Sequence, residues 1–432
     1  MRTFFIICLG QTISIIGSSM TAFAFTIWVW ELTNQATALT LFGLFLQVPQ
    51  LLIIPIAGVI VDSWNRKYLM IVGDMVSWLL TITILLIYLT HNLQIWHLYL
   101  AVAVQGIFEQ IQEQAYSASI SSIVPKQQYS RASSIGFLTK SSPVIIAPAL
   151  AGALYAVIGL AGILIIDIMT YVIAISSVLL VRIPQPTIAE AGTHSYTNLK
   201  QELFFGWRYI AARPSLIAML VLALLFYFAQ NLSSSLFTPL ILARTSNDTK
   251  ILGTVSSAAG LGGIIGALLV SVWAGSKPRI HRVLLGMVGA GLSQTVFGLG
   301  VKPLIWIPAQ FCSSLNIPIF SSPAQTIWLS KVKPEVQGRV FATRSLFVQP
   351  AVVISTLIAG PLADYVFEPA MMPNGSLTSI LGWIFGTGKG AGIALIYVIS
   401  SLSMLLIGIG GYAFRTLRDV EIILPDHDAS SE

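Results

Sequence analysis

Long apolar runs alternate with short polar turns from residue 4 to residue 414, and the runs have the length a bilayer demands. A helix crosses the hydrocarbon core with roughly 20 residues, and a helix satisfies its own backbone hydrogen bonds there. The pattern predicts twelve spans. The better bounded are 4–30, 37–61, 68–90, 162–181, 215–240, 283–301, 304–329 and 340–366. A fourth begins near His97, a fifth holds Pro143 and Pro148, an eighth is rich in glycine from Gly253 to Gly266, and a twelfth ends at Phe414. Residues 182–213 break the rhythm with prolines and charges and read as a linker, its part 199–210 an amphipathic surface helix. The predicted fold is an all-α membrane protein of twelve transmembrane helices in two six-helix halves, 1–181 and 214–414, with a tail at 415–432.

Composition excludes the soluble classes. The chain is 55% hydrophobic and 9% charged, and its mean hydropathy is +0.82; a soluble domain could not clothe its surface with that. The first run is too long for a signal core and lacks a small-residue cleavage site, so it is expected to be the first span. A net charge of +6 would suit nucleic acid, but the cations follow the turns. With the N-terminus inside, only Arg244, Lys250, Lys302 and Lys389 of the 23 Lys and Arg fall outside, so both termini are expected in the cytoplasm. Cys8 and Cys312 lie in spans and are expected to be buried free thiols, and the five His show no metal-ligand spacing. Gly386, Gly388, Lys389 and Gly390 imitate a phosphate loop, but the earlier glycine is misplaced and no Ser or Thr follows the lysine. No cofactor, metal, nucleic acid or catalytic residue is predicted.

The halves repeat. Arg131 and Arg339, Gly58 and Gly266, and Ala151-Gly152 and Ala359-Gly360 are each 208 positions apart. Coincident offsets at comparable places point to duplicated halves of six spans.

The charged turn at 58–67 carries Gly58, Asp62, Arg66 and Lys67, and this spacing resembles the loop between the second and third helices of the major facilitator superfamily. Ser63 stands where that pattern has a base and Asn65 where it has glycine; Asn tolerates the positive φ such a turn would need. Arg2-Thr3-Phe4, Gly10-Gln11, Gly17-Ser18, Gln337-Gly338-Arg339 and Leu424-Pro425-Asp426 extend the resemblance. They look like the drug:proton antiporter branch, which includes macrolide efflux proteins and enterobactin-type siderophore exporters. Ala147, Pro148, Ala151 and Gly152 resemble a worn form of that branch's exporter motif, with alanine at two of three glycine positions. The span-four arginine of the family is absent, since Val102 stands there. The resemblance implies a contact of Asp62 with the start of span eleven near Arg339 that stabilises the outward-open state; Arg66 and Lys67 read equally as topology determinants. Glu113 and Arg131 belong to the same inner-face set, with Glu113 read as an ion-pair partner of Arg66 or Arg131. Asp74 is assigned to the inner-face charge network.

An ionisable group inside a membrane is a functional hypothesis by default. Glu109, past the middle of span four, is the first candidate for a proton-binding or cation-attracting carboxylate. Its alternative is a structural carboxylate paired with Lys140 or bonded to a neighbouring Gln. Asp167 in span six is the second candidate, with hydrogen bonding to span-five Ser or backbone as its structural reading. Gln11, Tyr227, Gln230, Asn231, Gln310 and Asn316 are expected to put polar groups on an apolar cavity wall.

Together these observations predict a secondary transporter in the bilayer that exports an amphipathic organic compound in exchange for protons, by rocking two halves around a midplane cavity. One chain would suffice. Export of a siderophore or other metabolite is the alternative substrate reading, and a non-transporting membrane sensor or scaffold the alternative of another class.

Overall fold

The computed structural model describes residues 2–123, 129–181, 199–273 and 278–426, and among these there is no strand. The helices are α1 (Arg2–Thr33), α2 (Ala36–Ser63), α3 (Arg66–Leu89), α4 (Ile95–Ile123), α5 (Tyr129–Leu179), α6 (Leu199–Ala211), α7 (Pro214–Ser235), α8 (Phe237–Arg244) and α9 (Thr249–Val272). There follow α10 (Arg279–Leu299), α11 (Pro303–Lys331), α12 (Gln337–Pro361), α13 (Glu368–Met371), α14 (Thr378–Phe385), α15 (Ala391–Ala413), α16 (Arg415–Arg418) and α17 (Val420–Ile423). Ten helical stretches among the described residues are long and apolar enough to cross a membrane. One of them, within α5, breaks at Gly159, whose φ of 62° suits a residue without Cβ. Cys8 of α1 lies beside Thr139 before the break, and Gly10 faces Ser177 after it. Further along α1, Glu31 accepts a hydrogen bond from Tyr155 before the break, while Thr21 bonds Asp167 after it. The arm before Gly159 therefore runs parallel to α1 and the arm after it antiparallel, so α5 is two spans. The remaining predicted span is α4, which has the length but carries too much polarity to count by composition.

The turns between spans follow local chemistry. Asn34, with φ of 50°, closes α1 by donating its backbone N–H to Trp30 O at 2.7 Å. Pro214 and Pro303 occupy first helical positions, where a missing N–H costs nothing. Asn65 departs from expectation: its φ is −67°, and its side chain accepts the Lys67 N–H at 3.0 Å. It serves as the N-cap of α3, which asparagine does well without left-handed backbone. The α6 helix forms as predicted, packed by Gly206 against Thr343 and by Trp207 on the Phe347 ring, 4.9 Å between centroids. Cys8 is buried, whereas Cys312 is exposed, against the expectation that both would be covered.

The chain divides into two compact units, Met1–Thr193 with Thr245–Ser257, and His194–Arg244 with Ala258–Glu432. Within the first, α1 packs on α5, and α3 on α4 and α5; within the second, α7 packs on α12 and α15, and α10 on α11 and α15. The pairings of α1 and α3 in the first unit are matched by those of α7 and α10 in the second. In the second unit an aromatic cluster fills the core, with Phe226 edge-on to Phe320 at 4.8 Å and Trp328 fully buried beside them.

The segment after α15 folds back on the same unit. Leu417 and Val420 are buried in its core. Glu421 accepts the backbone N–H groups of Arg279 and Ile280, two of the donors that the first turn of α10 leaves orphaned. Lys331, at the end of α11, donates to the carbonyls of Glu421 and Leu424 and pairs with Asp426 at 2.9 Å. Glu421→Ala is expected to lower stability by about 1–2 kcal/mol, the cost of a lost N-cap, read as a lower thermal midpoint of the purified protein in detergent; an unchanged midpoint would refute the capping role.

Candidate functional site

Two helices of the first unit carry polar residues at the same spacing. On α1 these are Gln11, Ser14, Ser18 and Thr21, and on α4 Gln105, Glu109, Gln112 and Tyr116. Steps of three and four residues keep each set on one helical face. Both faces line a cavity of about 390 Å³, completed by Phe42 and Leu46 of α2, Asp74 of α3 and Tyr171 of α5. The other side of α4 is small: Gly106 lies against the backbone of Leu46. Much of the polarity of α4 thus lies on the stripe that faces the cavity, while Gln110 and Gln114 line a smaller one.

The carboxylates are held by neutral groups. Glu109 accepts a hydrogen bond from Gln105 Nε2 at 2.7 Å, one turn earlier on the same helix. Asp74 accepts from Gln112 Nε2 at 2.6 Å and from Gln11 Nε2 at 3.1 Å. Gln112 comes this close because Gly73 has no side chain; a Cβ there would lie 2.8 Å from Gln112 Oε1. Asp167 sits behind the Ser18 and Tyr171 wall, 1% exposed, and accepts from Thr21 Oγ1 at 2.9 Å, Ser18 Oγ at 3.3 Å and Thr81 Oγ1 at 3.4 Å. Among the described residues no basic side chain pairs with any of the three. Glu113, exposed, also faces this cavity and a smaller one shared with Gly58 and Gln114.

Two placements differ from expectation. The hydroxyls that meet Asp167 come from α1, α3 and its own helical turn, not from span five. Asp74, assigned to an inner charge network, is 2% exposed and bound by amides in the cavity wall. The signal for Asp74 was present: Asp74, Ser77 and Thr81 recur at helical spacing on α3, and all three are buried. The side chains of Lys140, Asp62 and Arg131 lie outside the described residues.

The cations of the charged turn grip helix ends. Arg66 Nη1 donates to Ala118 O near the end of α4 at 2.8 Å. Lys67 Nζ donates to Val181 O at 2.6 Å and Leu179 O at 3.0 Å, where α5 leaves carbonyls unpaired. In the second unit the Arg339 guanidinium lies 5.4 Å over the Phe205 ring. The motif Ala147, Pro148, Ala151 and Gly152 packs backbone to backbone with the segment 245–257: a Cβ on Gly152 would lie 2.5 Å from Thr249 O, and one on Gly253 2.5 Å from Pro148 O. Thr249 Oγ1 adds a hydrogen bond to Gly152 O at 3.0 Å, and Ser257 Oγ one to Ile145 O at 2.8 Å. Ala147 and Ala151 are buried.

A second cavity, of about 580 Å³, opens within the second unit between α7, α11 and α12. Tyr227 and Asn231 line it, as expected, but Gln230, Gln310 and Asn316 do not. Asn316 instead donates to Cys312 O on its own helix at 2.8 Å. Sequence reading missed Arg344, which lies two helical turns into α12 and faces this cavity.

The arrangement offers binding and protonation, and among the described residues no nucleophile is set against a base. Residues 7–356 match the family model described as Major Facilitator Superfamily. The chain belongs to that superfamily, and it is a membrane transporter rather than an enzyme. It is 27% identical over 368 residues to macrolide efflux protein A of Streptococcus pyogenes, covering 84% of this chain and 90% of that protein. It is 22% identical over 393 residues to the uncharacterized MFS-type transporter YfiS of Bacillus subtilis (strain 168), 88% and 91% of the two chains. Among solved structures, a point mutant of the nucleoside transporter NupG superposes with a TM-score of 0.74 at 9% identity, over 94% of this chain and 99% of that one. A bacterial metal transporter gives 0.65 at 14% identity, over 95% and 97%. At these identities the structural likeness speaks for the fold alone.

The site depends on close contact of α1 with α5. A Cβ on Gly17 would collide with Thr170 and lie 3.0 Å from Asp167 Oδ1. Gly17→Val is expected to cost roughly 1–3 kcal/mol through overpacking, seen as a lower thermal midpoint, while Gly263→Ala, at a position with open space around it, leaves the midpoint unchanged. Equal behaviour of the two variants would refute the close-packing account.

Proposed function

We propose that this transporter exports amphipathic organic compounds, of macrolide or multidrug type, in exchange for protons by alternating access. The observation that carries the reading is the acid-lined cavity of the first unit, where Glu109 and Asp74 are met only by amides among the described residues. An unpaired carboxylate in a membrane interior is stabilised by a proton or by a cationic ligand. Competition between the two for Glu109 couples the movement of one to the movement of the other. Asp167, already met by three side-chain hydroxyls from neighbouring turns, is the reserve proton site. The likeness to macrolide efflux protein A supports export as the direction, and the apolar wall of Phe25, Phe42 and Leu46 supports an amphipathic substrate.

In this reading all twelve helical arms cross the bilayer, α4 included, with both termini in the cytoplasm, as the bias of Lys and Arg toward one set of loops supports. Gly58, Asp62, Arg66, Lys67, Glu113, Arg131 and Arg339 form the gating set on that face. A single chain forms the pathway.

The test is movement of fluorescent amphipathic cations and macrolides in reconstituted vesicles, with and without an imposed pH gradient. Gradient-driven movement is expected to fall to the level of protein-free vesicles in Glu109→Gln; full movement in that variant would move the proton site to Asp167. Asp62→Asn is expected to slow transport with membrane insertion and thermal midpoint unchanged, since one loop charge matters little to folding so apolar a chain. Normal rates in a well-expressed Asp62→Asn protein would sink its gating role.

A further inference from the structure

The cavity of the second unit has chemistry opposite to that of the first. Its charged wall residue is Arg344, and among the described residues no acidic one lines it. Arg344 is half-buried; Nη1 donates to Gln325 Oε1 at 3.0 Å, and the guanidinium lies 5.2 Å over the buried Trp328 ring. No carboxylate pairs with it among the described residues. A guanidinium carries five donors in a planar fork, and these two contacts leave most of the fork unused.

The other polar groups around it are also uncommitted. The Tyr227 hydroxyl and the Ser345 and Gln349 side chains, all lining the same cavity, have no hydrogen-bond partner among the described residues. Asn231 is different: its amide nitrogen is spent on Val352 O at 3.0 Å, Ser355 Oγ at 3.0 Å and Thr356 Oγ1, which fixes α7 against α12. The rest of the wall is apolar, with Phe341, Val348 and Val352 on the face of α12 that carries Arg344. A volume of about 580 Å³ is that of a site for a drug-sized molecule.

We infer that this cavity binds the anionic end of an amphipathic organic molecule, a carboxylate or phosphate taken by the Arg344 fork with the Tyr227 hydroxyl as second donor, and its apolar body against Phe341, Val348 and Val352. Planar two-point recognition of an oxyanion is what a guanidinium does and an ammonium does not. The same chemistry serves a free organic anion or the headgroup of an anionic lipid. The site is lined by residues of the second unit alone.

The probe is 1-pyrenebutyrate, compared with its neutral primary amide, titrated against the purified protein in phosphatidylcholine nanodiscs and read by pyrene emission sensitised by tryptophan. The native protein is expected to bind the acid at least about tenfold more tightly than the amide. Arg344→Gln should abolish that preference, Arg344→Lys should restore only part of it, and Tyr227→Phe should weaken acid binding alone. Adding phosphatidylglycerol to the discs separates the sources: loss of acid binding assigns the site to a lipid headgroup, and unchanged binding assigns it to a free organic anion. Equal affinity of acid and amide for the native protein, or an undiminished preference in a folded Arg344→Gln variant, would overturn the inference. The assay reads equilibrium binding without a pH gradient, so its failure is distinct from failure of the transport reading.

Discussion

Polar side chains that enter hydrocarbon must find their partners inside the protein, and this requirement fixes how the first unit is assembled. Helix α1 is the hub. Gln11 reaches Asp74 on α3, and Ser18 and Thr21, two to three turns further on, reach Asp167 on α5. Hydrogen bonds to ionisable groups contribute about 1.5–3 kcal/mol each, and an orphaned partner costs as much again. The apolar surfaces of these helices are content against lipid, so they give the bundle no unique register. Asp74 and Asp167 do, because each is met from two helices at once.

That network exists only because backbones come close. Gly17, Gly73 and Gly106 each face a neighbouring helix where a methyl group would collide, and each stands within a few residues of a polar stripe. Small residues and polar partners are the two sources of helix association available without a hydrophobic drive between helices. Here they act on the same turns. The Gly152 and Gly253 contact extends the principle to the segment 245–257, where two backbones approach closely and the Thr249 and Ser257 hydroxyls bond the facing carbonyls.

Much of this could be read from residues alone, for a physical reason. Span length is set by bilayer thickness, so nearly every helix announced itself as an apolar run, and the 208-residue offset announced the duplication. The polar stripe of α4 was visible as an anomaly, and Glu109 does line a cavity. What stayed hidden was which helix stands opposite. Asp167 looked like a partner for span five because that span is adjacent in sequence, whereas the reversal at Gly159 sets it against α1 and α3. Arg344 drew no notice beside Arg339, and only the turn of α12 reveals that it faces a cavity. Asn65 shows the same limit on a smaller scale: its residue type suits both a left-handed turn and an N-cap, and the neighbouring helix start decides between them.

The duplication also explains why the two cavities differ. A repeated frame reproduces helix pairings, but it does not oblige side chains to agree. At the common offset, Glu109 of the acid-lined cavity corresponds to Ile317, and Arg344 of the other corresponds to Gly136. Each charge is therefore confined to one copy. Had both copies kept the same acid, the chain would bear twice the cost of unpaired carboxylate in the membrane with no new chemistry. Had one kept acid and base together, the pair would neutralise itself and leave neither proton nor ligand a role. Separation of the charges between units keeps each of them available, and availability is what a binding site needs from a buried charge.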